Sequence, residues 1–139
     1  MVCFSVWPLS AFCCCDKLTP AGGFSFDGLG GKWDNQQLQR GYQVYKEVCR
    51  SCHSLKYVAF RNLEELGYSE AEVRAEAASG EVPGLDEYGE ATLRPAEPTD
   101  YFPSPYPNEI AARASNNNAL PPDLSLITKA RPDGSNYVY

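Results

Sequence analysis

The feature that most constrains this chain is the motif Cys49-Arg50-Ser51-Cys52-His53, which has the spacing C-x-x-C-H. Residues that recur at intervals of three and four mark one face of a helix leading into it: Leu38, Tyr42, Tyr45, Cys49 and Cys52. Asp34 is a good N-cap for this helix. The fold therefore has to place two thiols and an imidazole together where a helix ends.

C-x-x-C-H is the attachment pattern of c-type haem. Two thiols three residues apart can each add to one of the two haem vinyl groups, and the imidazole of the next residue can bind the iron from one side. His53 is the only histidine in the chain, so no other imidazole competes for this role. The sequence predicts one covalent haem c, attached through Cys49 and Cys52, with His53 as the iron ligand.

Three other uses of such a motif fit less well. A thioredoxin-type C-x-x-C opens a helix after a strand, whereas this one closes a helix. A structural zinc site needs four ligands, and no second motif supplies them. A catalytic cysteine–histidine pair needs an oxyanion site, for which there is no signal. A haem-free thiol or zinc protein using Cys49 and Cys52 stays as an alternative. Because no general base, nucleophile or substrate pocket is recognisable, we expect a carrier and not an enzyme.

Composition narrows the class of protein further. A length of 139 residues suits a single domain. The 18 acidic residues exceed the 12 basic ones and give a net charge of −6, which argues against a nucleic-acid binder. Six cysteines are too few for a disulfide scaffold. No apolar run reaches the roughly 18 residues that a membrane span needs.

The first residues differ in character from the rest. We expect 1–21 to be an atypical apolar leader and 22–139 to be the folded domain. The first 15 residues contain no Lys or Arg, so they lack the charged start of a signal peptide. They do contain the remaining four cysteines, which are Cys3, Cys13, Cys14 and Cys15. We assign no function to these four thiols.

Further helices are predicted downstream of the motif. One spans 70–78, where Ser69 and Glu72 form a capping box, a second spans 108–115, and one or two turns lie within 124–130. Six prolines between residues 81 and 107 predict a long ordered loop. Because no convincing strand pairs are present, the sequence predicts an all-α fold.

Three blocks of the sequence resemble the cytochrome c1 family, the haem-bearing subunits of the cytochrome bc1 complex (ubiquinol–cytochrome c reductase). The first, Gln39–Leu63, reads QRGYQVYKEVCRSCHSLKYVAFRNL and holds the motif. The others are Asp100–Asn108, DYFPSPYPN, and Ala111–Lys129, AARASNNNALPPDLSLITK, and the ending ARPDGSNYVY continues the match. The resemblance implies an all-α, small c-type cytochrome-like haem domain with long loops.

The resemblance also implies a role and partners. Members of the family take one electron from the Rieske iron–sulfur protein and pass it to cytochrome c, in a membrane complex that also contains cytochrome b. They work on the periplasmic face of the bacterial inner membrane or on the intermembrane-space side of the mitochondrial one. Cys49 and Cys52 match the family's thioether cysteines, and His53 matches its proximal iron ligand. Other matches line the family's haem pocket (Asn116, Ala119, Pro122 and Ile127) or lie near the haem propionates (Arg131 and Tyr137).

Two parts of the family pattern are missing. The resemblance implies a methionine as second axial ligand and a C-terminal membrane anchor, whereas the only methionine is Met1. We therefore expect these 139 residues to be the N-terminal part of a longer protein. The alternative is a free-standing small soluble c-type cytochrome, in which water or Lys56 would fill the sixth iron position.

The charge of the chain is unevenly distributed. Residues 64–100 hold eleven acidic residues and only two basic ones, Arg74 and Arg94, for a local net charge of −9. An acidic surface beside an electron-transfer site attracts a basic partner and speeds its encounter. A solvated face that only improves solubility is the simpler alternative. With haem assigned, the pattern favours docking of a basic cytochrome c on residues 64–100.

Overall fold

Helix α1 (Asn35–Glu47) leads directly into the C-x-x-C-H motif. The computed structural model describes residues 23–139. In it Asp34 caps α1 as expected, and its carboxylate accepts a hydrogen bond from the Gln36 amide at 3.0 Å. The five residues of the predicted helix face are all half-buried, which confirms the face. None of the residues of α1 is fully buried, so the helix lies at the edge of the core.

The α-helix ends earlier than the sequence predicts. The Val48 amide still donates to the Val44 carbonyl, but the chain then tightens into a 3₁₀ turn over Cys49–Ser51. The predicted helical periodicity therefore continues only in this tighter form through the motif itself. The motif still closes a helix, as the sequence indicates, and does not open one.

The core is built by the chain that follows the motif. A 3₁₀ segment, Phe60–Leu66, packs against helix α2 (Glu70–Ala78). The buried cluster consists of Phe60, Leu63, Val73, Ala77, Val82, Ala96 and Phe102. Phe60 and Phe102 lie at its centre, with ring centroids 4.3 Å apart. This small cluster is the main apolar support for the elements around it.

Helix α2 has the bounds predicted from the sequence, and its capping box is confirmed. The Ser69 amide donates to the Glu72 carboxylate at 2.7 Å, and the Glu72 amide donates back to the Ser69 hydroxyl at 3.4 Å. The helix is tied to α1 through Glu76, whose carboxylate accepts hydrogen bonds from Tyr42 at 2.9 Å and Lys46 at 2.7 Å. Partial burial raises the pKa of Glu76, but these two hydrogen bonds outweigh it and hold the pKa below its ordinary value.

The all-α prediction is wrong, because a two-stranded antiparallel sheet follows α2. Strand β1 (Glu81–Leu85) pairs with strand β2 (Ala91–Pro95), in a register that sets Glu81 opposite Pro95 and Leu85 opposite Ala91. Residues 23–139 therefore form a mixture of helices and one β-hairpin. The predicted long loop begins only after β2, from residue 96.

The prolines between residues 81 and 107 are the reason why the sequence analysis predicted a loop where the hairpin lies. A two-stranded ribbon tolerates proline because half of the amides in each strand face a free edge, where no ladder hydrogen bond is lost. The turn signal was present in the sequence: Asp86 is followed three residues later by Gly89. The Gly89 amide donates to the Asp86 carbonyl at 3.1 Å, and Gly89 has a φ of +81°, which favours glycine.

Three short helices complete the described chain: α3 (Glu109–Ser115), α4 (Ile127–Ala130) and α5 (Ser135–Val138). Helix α3 confirms the prediction, with Asn108 as its N-cap. The predicted turns over 124–130 are also confirmed, although only α4 is α-helical there.

Two further predictions concern the chain's relation to membranes and its start. The leader expected over residues 1–21, with its four cysteines, lies outside the described residues. Within residues 23–139, no helix has both the length and the apolar character needed to cross a bilayer.

Phe60→Ala tests how far the domain depends on its small core. The Phe60 side chain is 0% exposed, so the substitution leaves a cavity and removes the contact with Phe102. We expect the free energy of unfolding to fall by about 3–5 kcal/mol, measured by urea denaturation. Tyr88→Ala is the control: Tyr88 is 82% exposed in the hairpin turn, and its loss should change stability by about 0.5 kcal/mol or less. Equal losses in the two variants would contradict this account of the core.

Candidate functional site

The two thiols of the motif are brought to one side of the chain by the 3₁₀ turn. In such a turn, side chains at positions i and i+3 lie almost directly above one another. The amides of Cys52 and His53 both donate to the Cys49 carbonyl, at 3.1 and 2.8 Å, and this closes the turn tightly. Cys49 and Cys52 are free thiols and are half-buried. Both are therefore available for reaction with a group that binds next to the turn.

The imidazole that follows them is held by one strong contact. His53 Nδ1 lies 2.7 Å from the backbone carbonyl oxygen of Pro122. A carbonyl only accepts, so Nδ1 must carry the hydrogen and donate it. In the neutral ring, Nε2 then keeps its lone pair, and this is the nitrogen available to a metal. The backbone of His53 is also tied to α1, because the Tyr45 hydroxyl donates to the His53 carbonyl at 3.4 Å.

The contact with Pro122 belongs to a larger set of hydrogen bonds that joins two distant segments. We call residues 53–57 and 122–125 the histidine clamp. The Leu124 amide donates to the Ser54 carbonyl at 2.9 Å, and the Tyr57 amide donates to the Ser125 hydroxyl at 3.2 Å. The clamp therefore fixes the chain on both sides of the imidazole contact.

Asp123 is the centre of the clamp. Its carboxylate accepts hydrogen bonds from the Ser54 hydroxyl at 2.7 Å, the Lys56 amide at 3.0 Å and the Ser125 amide at 2.9 Å. Partial burial raises the pKa of Asp123, but the Lys56 amide and the hydroxyls of Ser125 and Ser54 outweigh it and lower the pKa to about 2. The group is therefore a carboxylate, and only an acceptor, at any physiological pH.

Two cavities flank the clamp. A cleft of about 360 Å³ has a lining that includes Cys52, Tyr106, Ala112, Leu120 and Pro122. A more apolar groove of about 600 Å³ lies against α1 and the core; its lining includes Tyr45, Leu55, Phe102, Leu124 and Ile127. Each has the volume of a typical small-molecule site, and the cleft has a thiol of the motif in its wall.

The structure brings some of the sequence-predicted residues to this place. Pro122 contacts His53 directly and lines the cleft with Cys52. Asn116, at the end of α3, does not line the cleft itself, but its side chain donates a hydrogen bond at 3.1 Å to the hydroxyl of Tyr106, which does. Ile127 is buried and lines the apolar groove instead.

The other predicted residues lie apart from the thiols. Ala119 is exposed, and its amide donates to the Asn116 carbonyl at 2.9 Å. Arg131 and Tyr137 are exposed and contact each other, with the guanidinium 5.4 Å from the ring centroid. None of these three lines the cleft or the groove.

Sequence reasoning missed the clamp residues Ser54, Asp123 and Ser125. One local signal was present: an aspartate two residues before a serine often accepts from that backbone amide, as Asp123 does from Ser125. The partners of Asp123 in the other segment are 67 and 69 residues away in the chain. No pattern in the sequence specifies such a pairing.

This donor set fits the attachment of haem. Two free thiols at positions i and i+3, next to an imidazole whose Nδ1 is already bonded, supply what covalent attachment and axial ligation require. The zinc alternative fits less well: among residues 23–139, no group of three or more histidine, cysteine or acidic side chains is arranged so that it could hold a metal ion.

Comparison with known proteins relates this chain to a family of haem proteins. The model of the Cytochrome C1 family matches residues 24–139. The chain is 51% identical over 117 residues to cytochrome c1 of Rhodospirillum rubrum, covering 84% of this chain and 43% of the relative. It is 55% identical over 122 residues to cytochrome b/c1 of Bradyrhizobium diazoefficiens, covering 85% and 18%. For the mitochondrial heme protein cytochrome c1 of Saccharomyces cerevisiae, the identity is 49% over 121 residues, covering 86% and 39%. The chain spans less than half the length of these relatives.

The low pKa of Asp123 makes part of the stability depend on pH. The pKa is about 2 in the folded chain and 3.8 ordinarily, so the carboxylate stabilises the fold above about pH 4, and this contribution is lost as the pH falls towards 2. We expect the stability difference between the wild type and Asp123→Asn to be largest at pH 5 and to shrink by pH 2.5. Urea unfolding across this range measures it, and a constant difference would contradict the role given to the clamp.

Proposed function

The chain belongs to the Cytochrome C1 family, and from this premise we propose that it is a one-electron carrier with one covalently attached haem c. Proteins of this family carry covalent haem c and serve as electron-transfer subunits that are not catalytic by themselves. The observation that carries the proposal is the hydrogen bond of His53 Nδ1 to the Pro122 carbonyl, beside two free thiols. It leaves Nε2 as the free nitrogen at the place where the motif requires an iron ligand.

The residues of the chain have distinct tasks in this proposal. Cys49 and Cys52 would tether the cofactor, each thiol adding across one vinyl group so that the sulfur bonds one carbon and the thiol hydrogen passes to the other. His53 would bind the iron through Nε2, and the Pro122 carbonyl fixes the orientation of the ring by accepting a hydrogen bond from Nδ1. When bound, haem supplies an iron centre that gains and loses one electron. The turn and the clamp hold the attachment points still.

The remaining matched residues are assigned to the same cofactor on family resemblance and on local chemistry. Asn116 would hold Tyr106 at the cleft wall, and Ile127 would supply apolar surface. Ala119 is small enough to allow close approach. Arg131 and Tyr137 would serve the propionate side, because a planar guanidinium can bind a carboxylate with two hydrogen bonds.

The proposed partners follow from the family and from charge. In the whole protein the electron would come from the Rieske iron–sulfur protein and pass to cytochrome c, within the bc1 complex that also contains cytochrome b. A relative whose name joins cytochrome b and c1 supports the last of these. The site would lie on the periplasmic face of the bacterial inner membrane, or on the intermembrane-space side of the mitochondrial one. Both bacterial and mitochondrial relatives match the chain.

The structure refines which acidic residues could meet a basic cytochrome c. Several carboxylates of region 64–100 are already bound within the domain: Glu70 by Arg74, Glu76 by Lys46, and Asp100 by Arg94. Glu87 and Glu90 lie instead at the exposed tip of the hairpin. Because their charge is fully available to a partner, we assign the long-range attraction mainly to this tip.

Covalent attachment is tested by a haem-peroxidase stain of the denatured full chain, produced in a host with c-type maturation machinery. We expect the stain to survive denaturation in the wild type and to be lost when both Cys49→Ala and Cys52→Ala are introduced. A His53→Ala variant separates tethering from ligation, since it keeps both thiols and removes only the iron ligand. An exported, intact wild-type chain without stain would refute the cofactor assignment.

Docking is tested by the rate at which the haem-loaded chain reduces a basic cytochrome c. The double variant Glu87→Gln, Glu90→Gln should slow this reaction about tenfold at low ionic strength, and the difference should vanish in high salt, where the charges are screened. Glu47→Gln is the control, since it removes an exposed carboxylate outside region 64–100. If the control slows the reaction as much per charge removed as the hairpin variant does, the attraction comes from net charge alone and the docking surface is refuted.

A further inference from the structure

We propose that Asp123 is a positioning residue for the iron ligand: through the histidine clamp, it holds the Pro122 carbonyl against His53 Nδ1 and thereby tunes the ligand strength of the imidazole. This inference rests on the proposed function, because it concerns the haem that His53 would bind. The Asp123 carboxylate is hydrogen-bonded to Ser54, Lys56 and Ser125 and not to His53, so its action passes through the backbone that it fixes.

The geometry places Asp123 where both halves of the clamp meet. One carboxylate oxygen, Oδ2, accepts hydrogen bonds from the Ser54 hydroxyl at 2.7 Å and the Lys56 amide at 3.0 Å. This oxygen therefore binds the residues that directly follow His53. The other, Oδ1, accepts from the Ser125 amide at 2.9 Å, in its own segment. Three donors thus converge on one side chain, directly after the residue whose carbonyl bonds the imidazole.

The segment around Pro122 has few other means of holding its place. Pro121 and Pro122 have no amide hydrogen, so neither can donate a backbone hydrogen bond. The described structure records no helix or strand from residue 116 to residue 126. Two backbone amides also join the clamp segments: the Leu124 amide donates to the Ser54 carbonyl, and the Tyr57 amide donates to the Ser125 hydroxyl. The Asp123 carboxylate adds two hydrogen bonds to the segment that carries His53, more than any other side chain of its own segment. Removing it should let the Pro122 carbonyl drift from Nδ1.

The position of that carbonyl matters for an iron ligand. A hydrogen bond from Nδ1 to an acceptor increases electron density on the ring and makes Nε2 a stronger donor to the metal. A stronger donor favours ferric over ferrous iron, and hydrogen bonding around the ligand is one of the levers by which proteins set a haem potential. Loosening the clamp should therefore favour the ferrous state and raise the potential.

The experiment compares three variants of the full chain loaded with haem. Asp123→Ala removes the central carboxylate. Ser54→Ala removes one hydrogen bond to the Asp123 carboxylate but leaves the charge of that carboxylate in place. Asp100→Ala is the control, since Asp100 is also a carboxylate with several bonds, to Arg94 and to the Glu97 amide, and lines neither cavity. The readouts are covalent haem content, the equilibrium reduction potential and the solvent exchange rate of the His53 Nδ1 proton by NMR.

We expect Asp123→Ala to shift the ferrous-to-ferric equilibrium by about tenfold, which is about 59 mV upward for one electron. The Nδ1 proton should exchange faster. Ser54→Ala should move both readouts in the same direction by a smaller amount, and Asp100→Ala should move neither, even if it lowers stability. Ser54→Ala also keeps the inference testable if Asp123→Ala fails to fold.

The results that would overturn the inference differ from those that would overturn the proposed function. A raised potential in Asp123→Ala, with unchanged Nδ1 exchange and no shift in Ser54→Ala, would reduce the effect to the loss of a nearby charge and refute positioning. An unchanged potential in haem-loaded Asp123→Ala would refute it as well. Absence of covalent haem in the wild type would refute the proposed function itself.

Discussion

The hydrogen bond between His53 and the Pro122 carbonyl is the contact on which the organisation of the site depends. It selects the tautomer of the only histidine in the chain, and it joins the motif that follows α1 to a residue 69 positions after His53. The 3₁₀ turn presents the thiols, whereas this contact and the clamp around it hold the imidazole ring in its orientation. The site is thus shared between the N-terminal and C-terminal parts of the domain, and neither part forms it alone.

The core and the charged elements have separate tasks. The cluster around Phe60 and Phe102 supports α2 and the hairpin, while α1 is attached to α2 largely through the polar contacts of Glu76. Many acidic side chains of region 64–100 are used in such internal contacts. The acidic residues of this region therefore serve two purposes: some of their carboxylates form contacts within the domain, and those at the hairpin tip remain available to partners.

How much the sequence could predict depended on whether a feature was local. The motif, the cap at Asp34, the box at Ser69 and the end of α2 all act within a few residues, and all were predictable. The hairpin was missed because its prolines outweighed a short turn signal between Asp86 and Gly89. The clamp could not be predicted for a different reason. Asp123 binds partners 67 and 69 residues away in the chain, and a single sequence does not indicate which distant residues come into contact.

The span of the clamp has a consequence for how the domain forms. Closing a flexible loop of 69 residues costs about 4 kcal/mol of chain entropy, a cost that a few hydrogen bonds with a net value of about 1 kcal/mol each barely offset. The loop that the clamp closes contains the whole buried cluster. Once that cluster has folded, the two ends of the loop are already near each other, and closing the loop costs far less chain entropy. We therefore expect the imidazole to receive its orientation late in folding, after the thiols are in place on their turn, because the contact that orients it joins residues of high sequence separation.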